Sequence, residues 1–250
     1  MELLVALAAG LFAGFINTLA GSGSFLTLPA LIFMGLSSQV ANGTNRIGIL
    51  LAGIVAVWTY HKQGKLPLGG LTPILPAILL GSVAGALVAV KMPAESMDQV
   101  IGGLMLLMLA SLLLRPKQWL PRGVPEPKGG PLAKNLAFFA IGVYGGFIQA
   151  GVGLFLLSGL VLLLGFDLVR ANAVKVLLVL LFTVPSLAVF LLNDQVVWSL
   201  GLLVAAGQCV GAFIAARTSS RWEGADRWIR LLLIGVLGAT VLKLFEIPPF

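Results

Sequence analysis

Acid, histidine and cysteine are all scarce in this chain, and each shortage excludes a class of chemistry. Nine Asp and Glu residues occur among 250 positions, with one histidine, His61, and one cysteine, Cys209. The acids are Glu2, Glu95, Asp98, Glu126, Asp167, Asp194, Glu223, Asp226 and Glu246, each at or near the end of an apolar segment. No carboxylate pair can therefore form at mid-span, which excludes an intramembrane aspartyl protease and a proton relay through a buried acid. A lone cysteine allows no intrachain disulfide, and one histidine beside it makes no Cys/His metal cluster. No histidine stands near a serine or cysteine in sequence to activate a nucleophile. The chain is not expected to be an enzyme, and no cofactor or metal is implied.

Charge of both signs is thin as well. Only 10% of residues are charged, against ~25% in an average soluble domain. The hydrophobic share is 59% and the mean hydropathy +1.06, a composition that belongs to an integral membrane protein. A net charge of +7 would ordinarily suggest nucleic acid. Here the basic residues gather in short loops between apolar stretches, which is the positive-inside pattern. The expected partner is the lipid bilayer and no nucleic acid, and the expected location is the plasma membrane. Met1-Glu2 opens with no basic n-region, and no small-residue cleavage site follows the first apolar stretch, so no cleaved signal peptide is expected.

What is present is a series of apolar runs. A span needs about 20 residues at 1.5 Å each. Residues 3–36 and 136–166 are too long for one ordinary span; the others are 41–60, 71–90, 100–114, 171–192, 197–216 and 228–245. The sequence predicts an all-α integral membrane protein of eight span-equivalents, rising to ten crossings when the two long runs are counted as broken. Trp58, Tyr60, Trp119, Trp198, Trp222 and Trp228 mark span ends, as an interfacial belt would. Residues 115–134, rich in Pro and Gly with five basic residues against one acid, read as a cytoplasmic linker between a first membrane repeat, 1–114, and a second, 135–250.

Both long runs are interrupted near the middle. The first reads Gly14 to Pro29, GFINTLAGSGSFLTLP, where Gly21, Ser22, Gly23 and Ser24 are poor helix residues. A helix, a break and a shorter helix starting near Ser24 are expected. The second run is broken at Ala150-Gly151-Val152-Gly153. Irregular backbone at membrane depth is tolerated only where protein buries it or water reaches it.

The halves repeat. Gly14-Phe15-Ile16-Asn17 matches Gly146-Phe147-Ile148-Gln149 at an offset of 132 (146 − 14), whereas Gly35 and Gly165, Ala41-Asn42 and Ala171-Asn172, and Gly81 and Gly211 match at 130 (165 − 35). The two-residue change falls at the break, which predicts a shorter second break. Loop charge places residues 61–65, 115–134 and 217–230 inside and residues 91–98 and 193–195 outside. Following the chain then puts 35–41 outside and 165–171 inside. The repeats are inverted on this reading, as in many secondary transporters whose sites lie at broken helices near the midplane.

Candidate site residues follow from the breaks. A helix N-terminus carries unpaired N–H groups and about half a positive charge, which suits an anion. Gly21 and Gly23, with Gly151 and Gly153 in the second break, would let a ligand approach the backbone. Thr18, Ser22 and Ser24 could donate uncharged hydrogen bonds. Small residues of this kind also serve helix packing in membranes. Arg46 and Lys175 fall one turn into the spans after the Ala-Asn pairs; a cation there could attract an anion or snorkel to the headgroups. Asn17, Asn42, Gln149 and Asn172 flank the same elements and could bind substrate or join helices. Gln208 is expected to join helices, Cys209 to pack as a small apolar residue, and His61 to be solvated. Asp167 and Arg170 should form a weak surface pair.

The duplicated Gly-rich break, followed by Pro29 and Leu31, then Gly35 and Ala41-Asn42-Gly43-Thr44, and the basic turn after residues 41–60, resemble the sulfite exporter TauE/SafE family, also called TSUP. The resemblance covers nearly the whole chain. It departs from the family at Gly21-Ser22-Gly23-Ser24, usually Gly-Gly-Gly, and in the second copy, which has Gly159 where a proline would follow. The resemblance implies movement of a small organic or inorganic sulfur-containing anion, such as sulfite, a sulfonate or sulfoacetate, across the plasma membrane. A passive anion channel and a non-transporting assembly subunit are the alternatives, and a homo-oligomer is left open.

Overall fold

The computed structural model describes residues 2–67, 69–114, 126, 127 and 129–218, and within these the chain is helices joined by short turns. They are α1 (Glu2–Ala20), α2 (Ser24–Phe33), α3 (Ser38–Lys62), α4 (Leu75–Lys91), α5 (Ala94–Leu114), α6 (Pro131–Phe147), α7 (Val152–Leu162), α8 (Leu168–Leu191) and α9 (Trp198–Thr218). The expected span at 228–245, the basic loop from residue 219 on, most of the linker (115–125 and 128), and Trp119, Trp222 and Trp228 lie outside the described residues.

Among the described residues α3, α8 and α9 are long and apolar enough to cross a membrane. The halves of the broken runs are not: α2 has 10 residues and α7 has 11, roughly 15 and 17 Å of helix against a ~30 Å hydrocarbon core. Two expected boundaries move. α4 starts at Leu75 rather than at residue 71, with Pro76 in its first turn, where a missing N–H costs nothing. α5 starts at Ala94, inside the stretch expected to be a loop, because the Pro93 carbonyl accepts from Met97 N at 3.0 Å and Glu95 sits in the first turn, where an acid opposes the helix dipole favourably. α8 gains a cap as well. The Asp167 carboxylate accepts from Val169 N and Arg170 N at 3.0 Å each and pairs with the exposed Arg170 at 3.3 Å.

The main helix pairings are unchanged when the halves are exchanged. α1 packs on α9 and α6 on α4; α3 packs on α9 and α8 on α4; α3 and α8 pack on each other. Both equivalent crossings are built on glycine. Gly10 and Gly14 of α1 lie on the backbone of Val204, Gly207 and Gln208 of α9, and Gly142 and Gly146 of α6 on that of Ile78 and Ser82 of α4; from the other side Gly207 and Gly211 lie on Leu7, Leu11 and Phe15, and Gly81 and Gly85 on Phe139, Val143 and Phe147. In each case a Cβ would enter the opposing backbone; at Gly85, for example, it would strike the Val143 carbonyl. Glycines four residues apart let backbones approach in a medium that supplies no hydrophobic drive between helices.

Left-handed backbone repeats too: Gly21 (φ 72°) and Gly151 (73°), Gly35 (93°) and Gly165 (73°), Gly64 (66°) and Asp194 (54°) are all separated by 130 residues. This register refines the expected deletion. The second copy lacks two residues of the last turn of its first helix, so α6 ends at Phe147. The second non-helical stretch, 148–151, is one residue longer than the first, 21–23, rather than shorter. Gln149 (φ 60°) supplies its extra left-handed residue.

Polarity is arranged for lipid. Leu3, Leu4, Leu107, Leu132, Leu136 and Leu192 are exposed, while Thr27, Asn42, Asn45, Arg46, Lys175, Thr183 and Gln208 are buried. Trp58 and Trp198 are about half exposed, whereas Tyr60 is buried and takes no place in an interfacial belt.

Candidate functional site

The two interruptions lie against each other. Gly21, the left-handed residue that ends α1, sits so close to Gly153, in the first turn of α7, that a Cβ on either would overlap the other's Cα. The pair related to these by the repeat, Gly151 and Gly23, do not meet. Gly151 faces the Phe25 ring, with 3.0 Å from its Cβ position to Cε2, and Gly23 faces the Ala13 carbonyl and Asn17. Among the described residues, the N–H groups of Ser22, Gly23 and Gly151 donate to no backbone carbonyl. The starts of α2 and α7 therefore bring unspent donors to one junction, and the junction is asymmetric.

Beside it are two buried cations, one from each repeat. Arg46 is 0% and Lys175 1% exposed, so neither snorkels. Each instead reaches the C-terminal carbonyls of the broken helix in the opposite repeat. Arg46 donates to Gly146 O at 2.6 Å, Gly145 O at 3.3 Å and Phe147 O at 3.5 Å, at the end of α6. It also donates to Ser186 Oγ at 2.9 Å, Gln149 Oε1 at 3.2 Å and, weakly, Asn42 Oδ1 at 3.5 Å. Its carbon Cζ lies 4.5 Å from the centroid of the Phe190 ring, and its Nε has no acceptor. Lys175 Nζ donates to Asn172 Oδ1 at 2.6 Å, Thr18 O at 3.1 Å, and Asn17 O and Leu19 O at 3.4 Å each, at the end of α1. Helix ends leave carbonyls unpaired, and their partial negative charge favours a cation. Broken helices thus create the acceptors that hold these cations.

Among the described residues no carboxylate pairs with either cation, and the ion pair is the surface pair of Arg170 and Asp167. Backbone carbonyls satisfy hydrogen bonds and leave the two formal charges standing. A small cavity between α1, α3 and α8, lined by Asn17, Thr18, Lys175, Ile49, Val176 and Val179, has room for about one water molecule. It is too small for a sulfur oxyanion.

Every predicted site residue except Asn17 and Asn172 is buried, and those two are partly so. The structure brings Gly21, Ser22, Gly23, Gly151 and Gly153 to the junction, and joins Asn42, Arg46 and Gln149 in one network and Thr18, Asn172 and Lys175 in another. Asn42 donates to Phe147 O at 2.7 Å and Gln149 to Thr183 Oγ1 at 2.6 Å. Asn172 donates to the Tyr60 hydroxyl at 3.0 Å. Ser24 is turned to α3, where Asn45 Nδ2 donates to it at 3.1 Å and Thr27 donates to Asn45 Oδ1 at 2.6 Å. Gln208 bridges helices, as expected, by a long 3.5 Å contact to Asn45 Oδ1. Thr183, Ser186 and Tyr144, whose hydroxyl donates to Ala150 O at 2.6 Å, were missed. Their one signal was a polar side chain inside an apolar run.

A protein-family model described as Sulfite exporter TauE/SafE matches residues 6–244. Similar proteins include the probable membrane transporter protein ORF9 of a Sinorhizobium species, 30% identical over 96% of this chain and 91% of that protein. The probable membrane transporter protein YfcA of Escherichia coli strain K12 is 29% identical over 93% of this chain and 86% of its own length. The probable membrane transporter protein YunE of Bacillus subtilis is 22% identical over 89% and 90%.

Proposed function

We propose, for a chain that belongs to the sulfite exporter TauE/SafE family, that the junction of its two broken helices is the seat of a small sulfur-containing anion. The protein is a multi-pass membrane transporter and not an enzyme. The anion class is our reading. The observation that carries it is the pair of buried cations, Arg46 and Lys175, held beside the junction with no carboxylate among the described residues to balance them.

Two unbalanced charges in a low-dielectric interior are costly, and an arriving anion lowers that cost. Backbone N–H groups of Ser22, Gly23 and Gly151, with the hydroxyl of Ser22, would supply the hydrogen bonds. A fixed ring of donors suits an oxyanion such as sulfite or a sulfonate head better than it suits a neutral solute. The apposed N-termini of α2 and α7 belong to opposite repeats, which we read as inverted in the membrane. Relative motion of the repeats would then expose the same junction to each side in turn.

The test is flux in proteoliposomes. Sulfite or a sulfonate should enter with saturable kinetics, whereas a passive channel would not saturate and an assembly subunit would carry no anion. Arg46→Ala and Lys175→Ala should each insert normally and lower flux at least about tenfold, the effect of ~1.4 kcal/mol. Wild-type flux in both variants would remove the cations from the site. A ligand that binds only the folded protein should also raise its stability, by about 2.7 kcal/mol at 100 Kd, so a thermal-shift panel of sulfur oxyanions and carboxylates would identify the anion.

A further inference from the structure

The two buried cations are not equivalent, and the difference bears on how transport is driven. Arg46 occupies a six-acceptor network from which a guanidinium cannot lose its proton. Lys175 is an amine, and of the two side chains it alone can exist without its extra proton. At the positions related by the repeat stand Asn45 for Lys175 and Val176 for Arg46. The molecule therefore holds one permanent and one dischargeable cation at its centre.

We propose that Lys175 is the proton-carrying residue of the transport cycle, so that one proton and one anion travel in the same direction. The proposal rests on the anion seat argued above. Three features of the structure support it. Lys175 lines the water-sized cavity between α1, α3 and α8, which gives Nζ space for a proton donor or acceptor. Its ammonium is the tie between α8 and the end of α1, so protonation and helix position are mechanically linked. Among the described residues no other titratable group stands in its place. On the described parts of the helices packed around it, α1 carries only Glu2, about 24 Å along the helix from Thr18. α3 carries Arg46, His61, Lys62 and Tyr60, whose hydroxyl meets Asn172. α4 carries Lys91, α6 Lys134 and Tyr144, and α7 no titratable group; on α8 itself Arg170 is paired with Asp167 at the surface.

The proton balance is simple. With Lys175 an ammonium, the seat holds two positive charges and takes up the anion. On the far side the anion leaves, the ammonium passes one proton to water, and the neutral amine remains. It keeps two N–H donors for the four acceptors and has lost its charge, so its hold on the carbonyls of Asn17, Thr18 and Leu19 weakens and the empty carrier can return. Anion and proton favour each other's binding, and this coupling is reciprocal. That makes the pair symported rather than exchanged.

The test uses the full-length protein in liposomes with methanesulfonate, whose charge is constant over the working range, and sulfite in parallel. An acid-outside gradient should drive about tenfold accumulation of methanesulfonate per pH unit, since each unit supplies ~1.4 kcal/mol. Lys175→Arg, which keeps the charge and cannot release a proton, should retain anion exchange at a reduced rate and accumulate nothing against a gradient. If Lys175 served only as a helix cap, arginine would restore exchange and accumulation together, and that result overturns the proposal. Wild-type flux indifferent to the pH gradient overturns it too, while leaving the anion seat standing. No flux of either anion removes both readings. Should the arginine variant fail to fold, calorimetry of methanesulfonate binding to the wild-type protein in buffers of different ionisation enthalpy decides. Proton uptake accompanying binding supports the proposal; its absence from about pH 6 to about pH 9 overturns it.

Discussion

At the scale of single residues, the site depends on side chains that finish other elements' hydrogen bonding. Arg46 is the clearest case. Its planar fork reaches three carbonyls of α6 together with Gln149 and Ser186, which a lysine's single Nζ cannot do. Arg46→Lys should therefore leave buried acceptors unpaired, at about 2 kcal/mol, and lower the thermal midpoint of the purified protein while leaving its charge unchanged. A midpoint equal to wild type would show that charge alone matters there. These roles were only half legible in the sequence. In the apolar runs 41–60 and 171–192 each cation stands one turn from the start, a position that fits snorkelling as well as burial, whereas α3 and α8 start at Ser38 and Leu168 and set it two turns in. The choice is made by the ends of α1 and α6, which lie far away in the chain. Tyr60 illustrates the same limit: an aromatic at a span end reads as belt, and its burial among Ala52, Ala56, Ala173 and Val176, with a hydrogen bond from Asn172, depends on residues far away in the chain.

At the scale of elements, the breaks are specified in two different ways. The first is written in its sequence, because Gly21 takes the left-handed conformation and α2 starts at Ser24 as the composition implies. The second stops before its glycines, at Ile148 and Gln149, and no local signal marks Gln149 for a positive φ. Its side chain, tied to Arg46 and Thr183, holds it there. Where the breaks touch, Gly153→Ala tests the contact alone, since the backbone there is ordinary helix and the added methyl meets Gly21. Flux should fall at least about tenfold. Gly21→Ala adds left-handed strain of ~1–2 kcal/mol and should lose both flux and stability. Gly35→Ala is the control, with φ 93° but nothing within 4 Å of the Cβ position; it should cost stability of similar size and keep wild-type flux. Equal flux loss in Gly21→Ala and Gly35→Ala, with wild-type flux in Gly153→Ala, would assign the effect to strain and not to the meeting of the breaks.

At the scale of the whole molecule, glycine spacing is the argument for two repeats, and the main helix pairings, α1 on α9 with α6 on α4 and α3 on α9 with α8 on α4, support that reading. Loop charge is the argument for inversion, and it makes a sharp prediction. Ser37 and Asp167 cap the equivalent helices α3 and α8, yet inversion requires the two turns to face opposite sides. In a Cys209→Ser background, Ser37→Cys should react with an impermeant maleimide in intact cells. Arg170→Cys, beside the Asp167 turn and well exposed, should react only after permeabilisation. His61→Cys and Asn193→Cys calibrate the inner and outer loops respectively. Labelling of Ser37→Cys and Arg170→Cys from one side would make the repeats parallel, and rocking of inverted halves about the Gly21–Gly153 contact would then no longer be able to expose one seat to both faces of the membrane.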